Sequence, residues 1–329
     1  MVCWISPPLI PVPCMQCKSP LALLLLVVST GSQAASCCGG GAGSALILPK
    51  FNQSMWSIST TAEHFTGYWD QSGRHKDDPE GSELNQYTLN AGYVQRLSSN
   101  WQLGASLPLV MNDNQYSGDA NRNTALGDAS VFAWYETFDN VTCIYKIRGW
   151  QSLRPSVYLG ANLVLPTGIS PYSGHVDNSA QTTGRGFYRL DANLSIEKTI
   201  YPWSAALNYS QGAYLSRMVN NEYGTEVEPY RKSPGPRRSL SGSLAYTWFL
   251  TSLDMLNLSY AYSELHEGQG TIDGTADSSS DFHKISHSLS LGYVSPARDW
   301  NSKISLSDAL RGHGTVDTQS LSLEFNRVY

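Results

Sequence analysis

The chain is poor in charge. Asp, Glu, Lys and Arg make up 15% of its 329 residues, and the net charge of −5 holds no basic excess. A nucleic-acid binder needs a cationic footprint to meet phosphates, so that class is excluded. A long apolar run is also missing. The one continuous stretch, Leu21 to Val28, falls well short of the roughly 20 residues that carry a helix across a bilayer. Mean hydropathy is −0.27, which excludes a bundle of membrane helices. Cysteine is scarce. Beyond residue 34 only Cys37, Cys38 and Cys143 remain, too few for a disulfide-rich scaffold.

What is present begins with an export leader. Lys18 precedes the apolar run, and Ser32-Gln33-Ala34 follows with small residues at the cleavage-determining positions. This is the layout of a secretory signal peptide, assigned to residues 1–34. Residues 1–14 fit poorly ahead of the charged segment, so Met15 is the expected true start, and cleavage is expected after Ala34. Ala34-Ala35-Ser36-Cys37 is also a degraded lipobox, which leaves lipidation of Cys37 as a rival. An odd cysteine count in an oxidising compartment leaves other outcomes open: a bridge from Cys143 to Cys37 or Cys38, or a soft-metal site on the vicinal pair. The Gly-rich segment 35–53 reads as a periplasmic tail or as a plug for the domain formed by residues 54–329.

From residue 54 to 329 the chain alternates. Apolar and polar residues exchange with a period of two, the pattern of a strand with one apolar face. Twelve such ladders are expected, over 54–68, 84–97, 101–112, 126–138, 155–166, 186–199, 202–216, 238–250, 253–265, 283–295, 299–310 and 317–329. In the second, Tyr87, Leu89, Ala91 and Tyr93 alternate with Thr88, Asn90 and Gly92. Connections after odd-numbered ladders are mostly long, and those after even-numbered ladders mostly tight. Two deviate: 139–154 is long where a short one is expected, and 311–316 the reverse. Aromatics gather at both ends of the ladders. Trp101, Phe138, Trp203, Trp248, Trp300 and Tyr329 fall at one rim; Phe65, Tyr87, Tyr188, Tyr214 and Tyr262 fall at the other.

The final ladder, Leu321 to Tyr329, ends the chain on an aromatic residue. It resembles the C-terminal signal of Gram-negative outer-membrane β-barrels. An even strand number, alternating short and long connections and two aromatic girdles extend the resemblance over nearly all of residues 54–329. The resemblance implies an all-β, antiparallel up-and-down barrel with both termini in the periplasm. It also implies outer-membrane lipid, lipopolysaccharide and the barrel-assembly machinery as partners, the last through the strand ending at Tyr329. Leu103, Leu163, Leu244, Leu258 and Leu291 then face lipid. Leu126-Gly127-Asp128 and Leu165-Pro166-Thr167-Gly168 are similar to short motifs of transporter barrels associated with aromatic-compound degradation.

The opposite face is small and hydroxylic, rich in Ser, Thr and Asn, which suits water and polar solutes. Twelve strands enclose more space than side chains alone fill. The expected function is a channel for small polar solutes. The alternative is a barrel whose long loops bind a partner or anchor the envelope. Lumen charges are mixed: Arg96, Asp128, Glu136, Arg189, Asp191, Glu197, Lys284, Lys303 and Glu324. Of these, Arg96, Asp128, Arg189, Asp191, Lys284, Lys303 and Glu324 are the candidate solute-lining residues. No single-sign ring of the kind that selects ions is evident.

Enzyme chemistry finds little support. His287 is expected to face lipid near Asp308, but Leu289 occupies the position where a lipid hydrolase would carry its serine. His75, His175, His266 and His313 lie in expected loops without metal-ligand spacing. Asp70, Asp77, Asp78, Glu80 and Glu83 form an acidic loop that is most simply solvated. No cofactor is implied.

Overall fold

A computed structural model describes residues 46–116, 119–137, 143–174 and 176–329. Twelve antiparallel strands form one closed sheet. They are β1 (Ser54–Trp69), β2 (Glu83–Arg96), β3 (Trp101–Tyr116), β4 (Ala129–Glu136), β5 (Ser156–Leu165) and β6 (Arg189–Ile200). They continue as β7 (Trp203–Tyr214), β8 (Arg237–Phe249), β9 (Met255–Glu267), β10 (Phe282–Val294), β11 (Trp300–His313) and β12 (Thr315–Val328). Each strand pairs with its sequence neighbours, and β12 returns to β1 with Val328 opposite Met55 and Phe325 opposite Ile58. Closure removes the unpaired edge that would leave backbone groups unsatisfied in lipid. Among the described residues no helix is long and apolar enough to cross a membrane.

All twelve expected ladders correspond to strands, with ends shifted by a few residues. The fourth is interrupted. Asp119–Leu126 and β4 both pair with β3, and the chain breaks between them at Gly127-Asp128. The reason is local. Gly127 N–H bonds to the Pro108 carbonyl, while the Asp128 carboxylate takes the backbone N–H groups of Gly168 and Arg185 at 3.1 and 2.8 Å.

The two ends of the barrel differ. At the short-turn end the links are 97–100, 201–202, 250–254 and 295–299, with 137–155 as the exception. That longer link contains Cys143–Ile144, which adds parallel to Thr199 and Ile200 of β6. At the other end all links are long except Gly314, which alone turns β11 into β12. There Arg217–Glu222, Thr225–Ser233, Gly270–Ile272 and Thr275–Asp277 build a separate four-stranded sheet.

The outer face carries the apolar ladder. Leu103, Leu163, Leu244, Leu258 and Leu291 all expose their side chains there. At the short-turn end aromatic rings cluster in pairs: Trp56 with Tyr93 at 4.6 Å, Trp101 with Tyr135 at 5.1 Å, Trp203 with Tyr246 at 4.9 Å. Trp300 sits between Tyr293 and Phe325. Tyr87, Tyr188 and Tyr262 are exposed toward the other rim. Two expected girdle members are not there. Tyr214 points inward, where its hydroxyl donates to Glu267 at 3.0 Å. Phe65 lies in register with Thr318, whose hydroxyl accepts from Lys284 on the inner face. Phe138 lies outside the described residues.

Candidate solute pathway

The inner wall is organised by one row of cross-strand partners. It runs Val328, Met55, Val94, Gly104, Phe132, Asn162, Asp191, Gly212, Arg237 and Glu267. Strands in a barrel are tilted, so such a row climbs as it goes round. It starts at the short-turn end with apolar residues and finishes at the long-loop end with charged ones. The lumen is therefore graded along its axis.

At the short-turn end the lumen is packed. Leu48 is fully buried against Met55, Val94, Phe132, Trp134, Tyr158 and Val328, with Leu46 and Ile47 beside it. Its backbone is held like a strand's by one side chain. Gln102 Oε1 accepts from the Leu48 N–H at 2.7 Å, and Gln102 Nε2 donates to the Leu48 carbonyl at 3.1 Å. Lys50 pairs with the buried Glu136 at 3.4 Å. Arg96 donates to the carbonyls of Asn52, Ser99 and Pro49 at 2.9, 3.0 and 3.2 Å. Arg96 is thus a clamp on the chain that enters the barrel.

Phe132 and Trp134 turn inward because neighbouring strands offer no side chain. A Cβ on Gly104 would stand 2.5 Å from the Phe132 ring, and one on Gly160 would stand 2.5 Å from the Trp134 ring. The polar inner ladder gave no expectation of these aromatics. They share the face of Ser130 and Glu136, and the signal for them is the placement of Gly104 and Gly160 on strands β3 and β5.

Above this floor lies a cavity of about 370 Å³. Leu46, Phe132 and Trp134 line its base, Ser57, Ser106, Asn208 and Ser241 its sides, and Arg189, Asp191, Arg237 and Glu324 supply its charges. Arg189 and Asp191, expected as neighbours on one face, form a two-pronged ion pair at 2.7 and 3.1 Å. Asn162 donates to Asp191 as well, at 3.0 Å. Glu324 pairs with Lys303 at 2.7 Å. Lys284 donates to the Thr318 hydroxyl at 2.7 Å. Arg189–Asp191 and Lys303–Glu324 thus form two separate pairs rather than parts of one ring.

The two short motifs singled out in the sequence meet at the long-loop end. The Thr167 hydroxyl donates to the Gly127 carbonyl at 2.7 Å and accepts from the Ala129 N–H at 2.9 Å. The Thr183 hydroxyl donates to the Leu126 carbonyl at 2.7 Å. Together with Asp128 they fold the 166–188 link against the barrel wall. Arg185, near the end of that link, reaches across to Glu267 on β9 and to the Tyr214 hydroxyl. Asp128 therefore positions a loop, and Arg185, Arg237 and Glu267 join the set of lumen charges. Arg237 stands one residue ahead of the expected ladder at 238, which hid its inward direction.

His287 and Asp308 lie 3.8 Å apart on the outer face, as expected. Their row continues through Gln319, His64 and Asn85. Cys37, Cys38 and His175 lie outside the described residues, and of Cys143 only the backbone is described.

An outer-membrane channel of Pseudomonas putida F1 superposes with a TM-score of 0.64 over 89% of this chain and 100% of its own, at 14% identity. The chain has the fold of an outer-membrane β-barrel. The β-domain of the Bordetella autotransporter BrkA superposes with a TM-score of 0.50 over 84% of this chain and 100% of its own, at 12% identity. At these identities the likeness is one of fold. No family model and no curated protein matches the sequence.

Proposed function

We propose that the protein is an outer-membrane channel for small polar solutes. The observation that carries this reading is an apolar outer face wrapped around a polar cavity of about 370 Å³. In this reading the short turns and both termini face the periplasm and the long loops face outward. Leu46–Lys50 forms a plug at the periplasmic mouth, and the 166–188 link narrows the outer one. The belt of His64, Asn85, His287, Asp308 and Gln319 meets the lipid and lipopolysaccharide headgroups. The strand ending at Tyr329 is offered to the barrel-assembly machinery. Residues 1–34 are removed on export, and Cys143 is available to bridge Cys37 or Cys38.

Conductance of the purified protein in planar bilayers tests the channel. Stepwise currents are expected from the wild type. Ser241→Trp, on the cavity wall, is expected to reduce them. A silent wild type removes the channel. The four-stranded sheet beyond the long-loop end favours the second reading in that case, a barrel that presents its loops to a partner.

A further inference from the structure

The charges around the cavity do not cancel. Asp191 is fully engaged by Arg189 and Asn162. Glu324 is engaged by Lys303 and by the Asn326 amide. Glu267, the cross-strand partner of Arg237, is drawn away to Arg185 and Tyr214. Arg237 is left facing the cavity with Arg189 and Tyr214 beside it, and no carboxylate among the described residues lies within ion-pairing distance of it. A half-buried guanidinium with no carboxylate beside it suits an anion, because its planar donors match a carboxylate. The same cavity has an apolar base at Leu46, Phe132 and Trp134. Its two ends thus ask for different chemistry from one molecule.

We propose that Arg237 binds the carboxylate of a small organic monoanion whose apolar body lies against Phe132, Trp134 and Leu46. The proposal deepens the channel reading and rests on it for how the solute arrives. Binding itself does not require conduction. A dianion is disfavoured, since among the described residues lining the cavity only one cation is uncompensated. A cation meets the uncompensated Arg237 and is repelled. A neutral molecule of the same shape leaves Arg237 without its partner.

Calorimetric titration of the purified, folded barrel tests this with hexanoate, hexanol, hexylammonium and acetate. Saturable binding of hexanoate is expected. Hexanol should bind roughly tenfold more weakly or worse, the loss of one charge-assisted contact. Hexylammonium should not bind, and acetate, which lacks the apolar body, should be weaker than hexanoate. Arg237→Gln should lose the hexanoate affinity, and Arg237→Lys should keep part of it. Hexanol equal to hexanoate, no saturable hexanoate binding, or a folded Arg237→Gln barrel with undiminished affinity overturns the site. Should Arg237→Gln fail to fold, the wild-type ligand series decides alone. Silent bilayers with hexanoate binding intact would remove the channel and leave the site; conducting bilayers without hexanoate binding would do the reverse.

Discussion

The two halves of the lumen are built from the same strands and behave as different materials. At the short-turn end Leu48, Met55, Val94, Phe132 and Val328 pack as a globular core does, with a polar strap formed by Gln102, Glu136 and Arg96. Toward the long-loop end the same inner face turns to Ser, Asn and paired charges around open space. A barrel wall alone does not decide whether its interior is dry or wet. The decision is made by side-chain size along each inner ladder. Glycine at 104 and 160 lets aromatic rings in at the base, while serine above them fills too little volume to exclude water. A substitution should therefore cost stability in the lower half and alter the cavity in the upper half.

The strongest test of this division is Glu136→Gln. Glu136 is buried between Lys50 at 3.4 Å and Arg96 at 4.0 Å. Removing its charge while keeping its shape takes away the carboxylate that lies between these two cations, a loss of up to about 3–5 kcal/mol. Denaturant unfolding in detergent or vesicles should read it. A neutral result would mean that the strap adds nothing to stability and that the two halves do not differ in this way. Next comes the outer wall, which serves as a reference. Leu244→Arg, midway along β8 on the apolar face, should cost roughly 2–4 kcal/mol in lipid. A protein that tolerates it and stays soluble without detergent has no membrane-facing wall.

A matched pair sharpens the comparison inside. Phe132→Ala in the floor should cost about 3 kcal/mol. Ser239→Ala, on the cavity wall, should stay within about 0.5 kcal/mol. Equal costs in the same unfolding assay would show that the interior is uniform.

Much of this architecture was legible in the chain. The twelve ladders stood out because an apolar outer face and a polar inner face impose a period of two on every strand, and Leu321, Leu323 and Phe325 carried that pattern to the closing pair with β1. The exceptions share one cause: their direction is set by residues distant in sequence. Phe132 and Trp134 break the polar inner face because of Gly104 and Gly160 on neighbouring strands. Tyr214 leaves the girdle because Arg185, Arg189 and Glu267 surround its hydroxyl. Arg189 and Asp191 were visible as a pair, being two residues apart on one ladder. Arg237 was not, since it becomes a site only once Arg185 has taken Glu267.

The smallest expected effect lies in a loop beyond both halves. The Asp70 carboxylate accepts from the Ser72 hydroxyl and from the backbone N–H groups of Arg74 and Ser72, which holds it well below the ordinary carboxylate range. A depressed folded-state value means that the stabilisation is present above the unfolded value of about 3.9 and fades as pH falls below it. The protection of the amides at residues 70–74 against hydrogen exchange, relative to their intrinsic rates, should fall only below about pH 4. The packed mouth, tied through Gln102 rather than by this carboxylate, should keep its protection there.

The contrast between the halves is tested most directly by opening the lower one. Leu46, Ile47 and Leu48 replaced together by glycine should loosen the mouth while leaving the strands paired. Single-channel recordings in planar bilayers should then show larger conductance steps than the wild type. Steps of unchanged size would contradict the account, since they would mean that the segment held by Gln102 does not limit the passage.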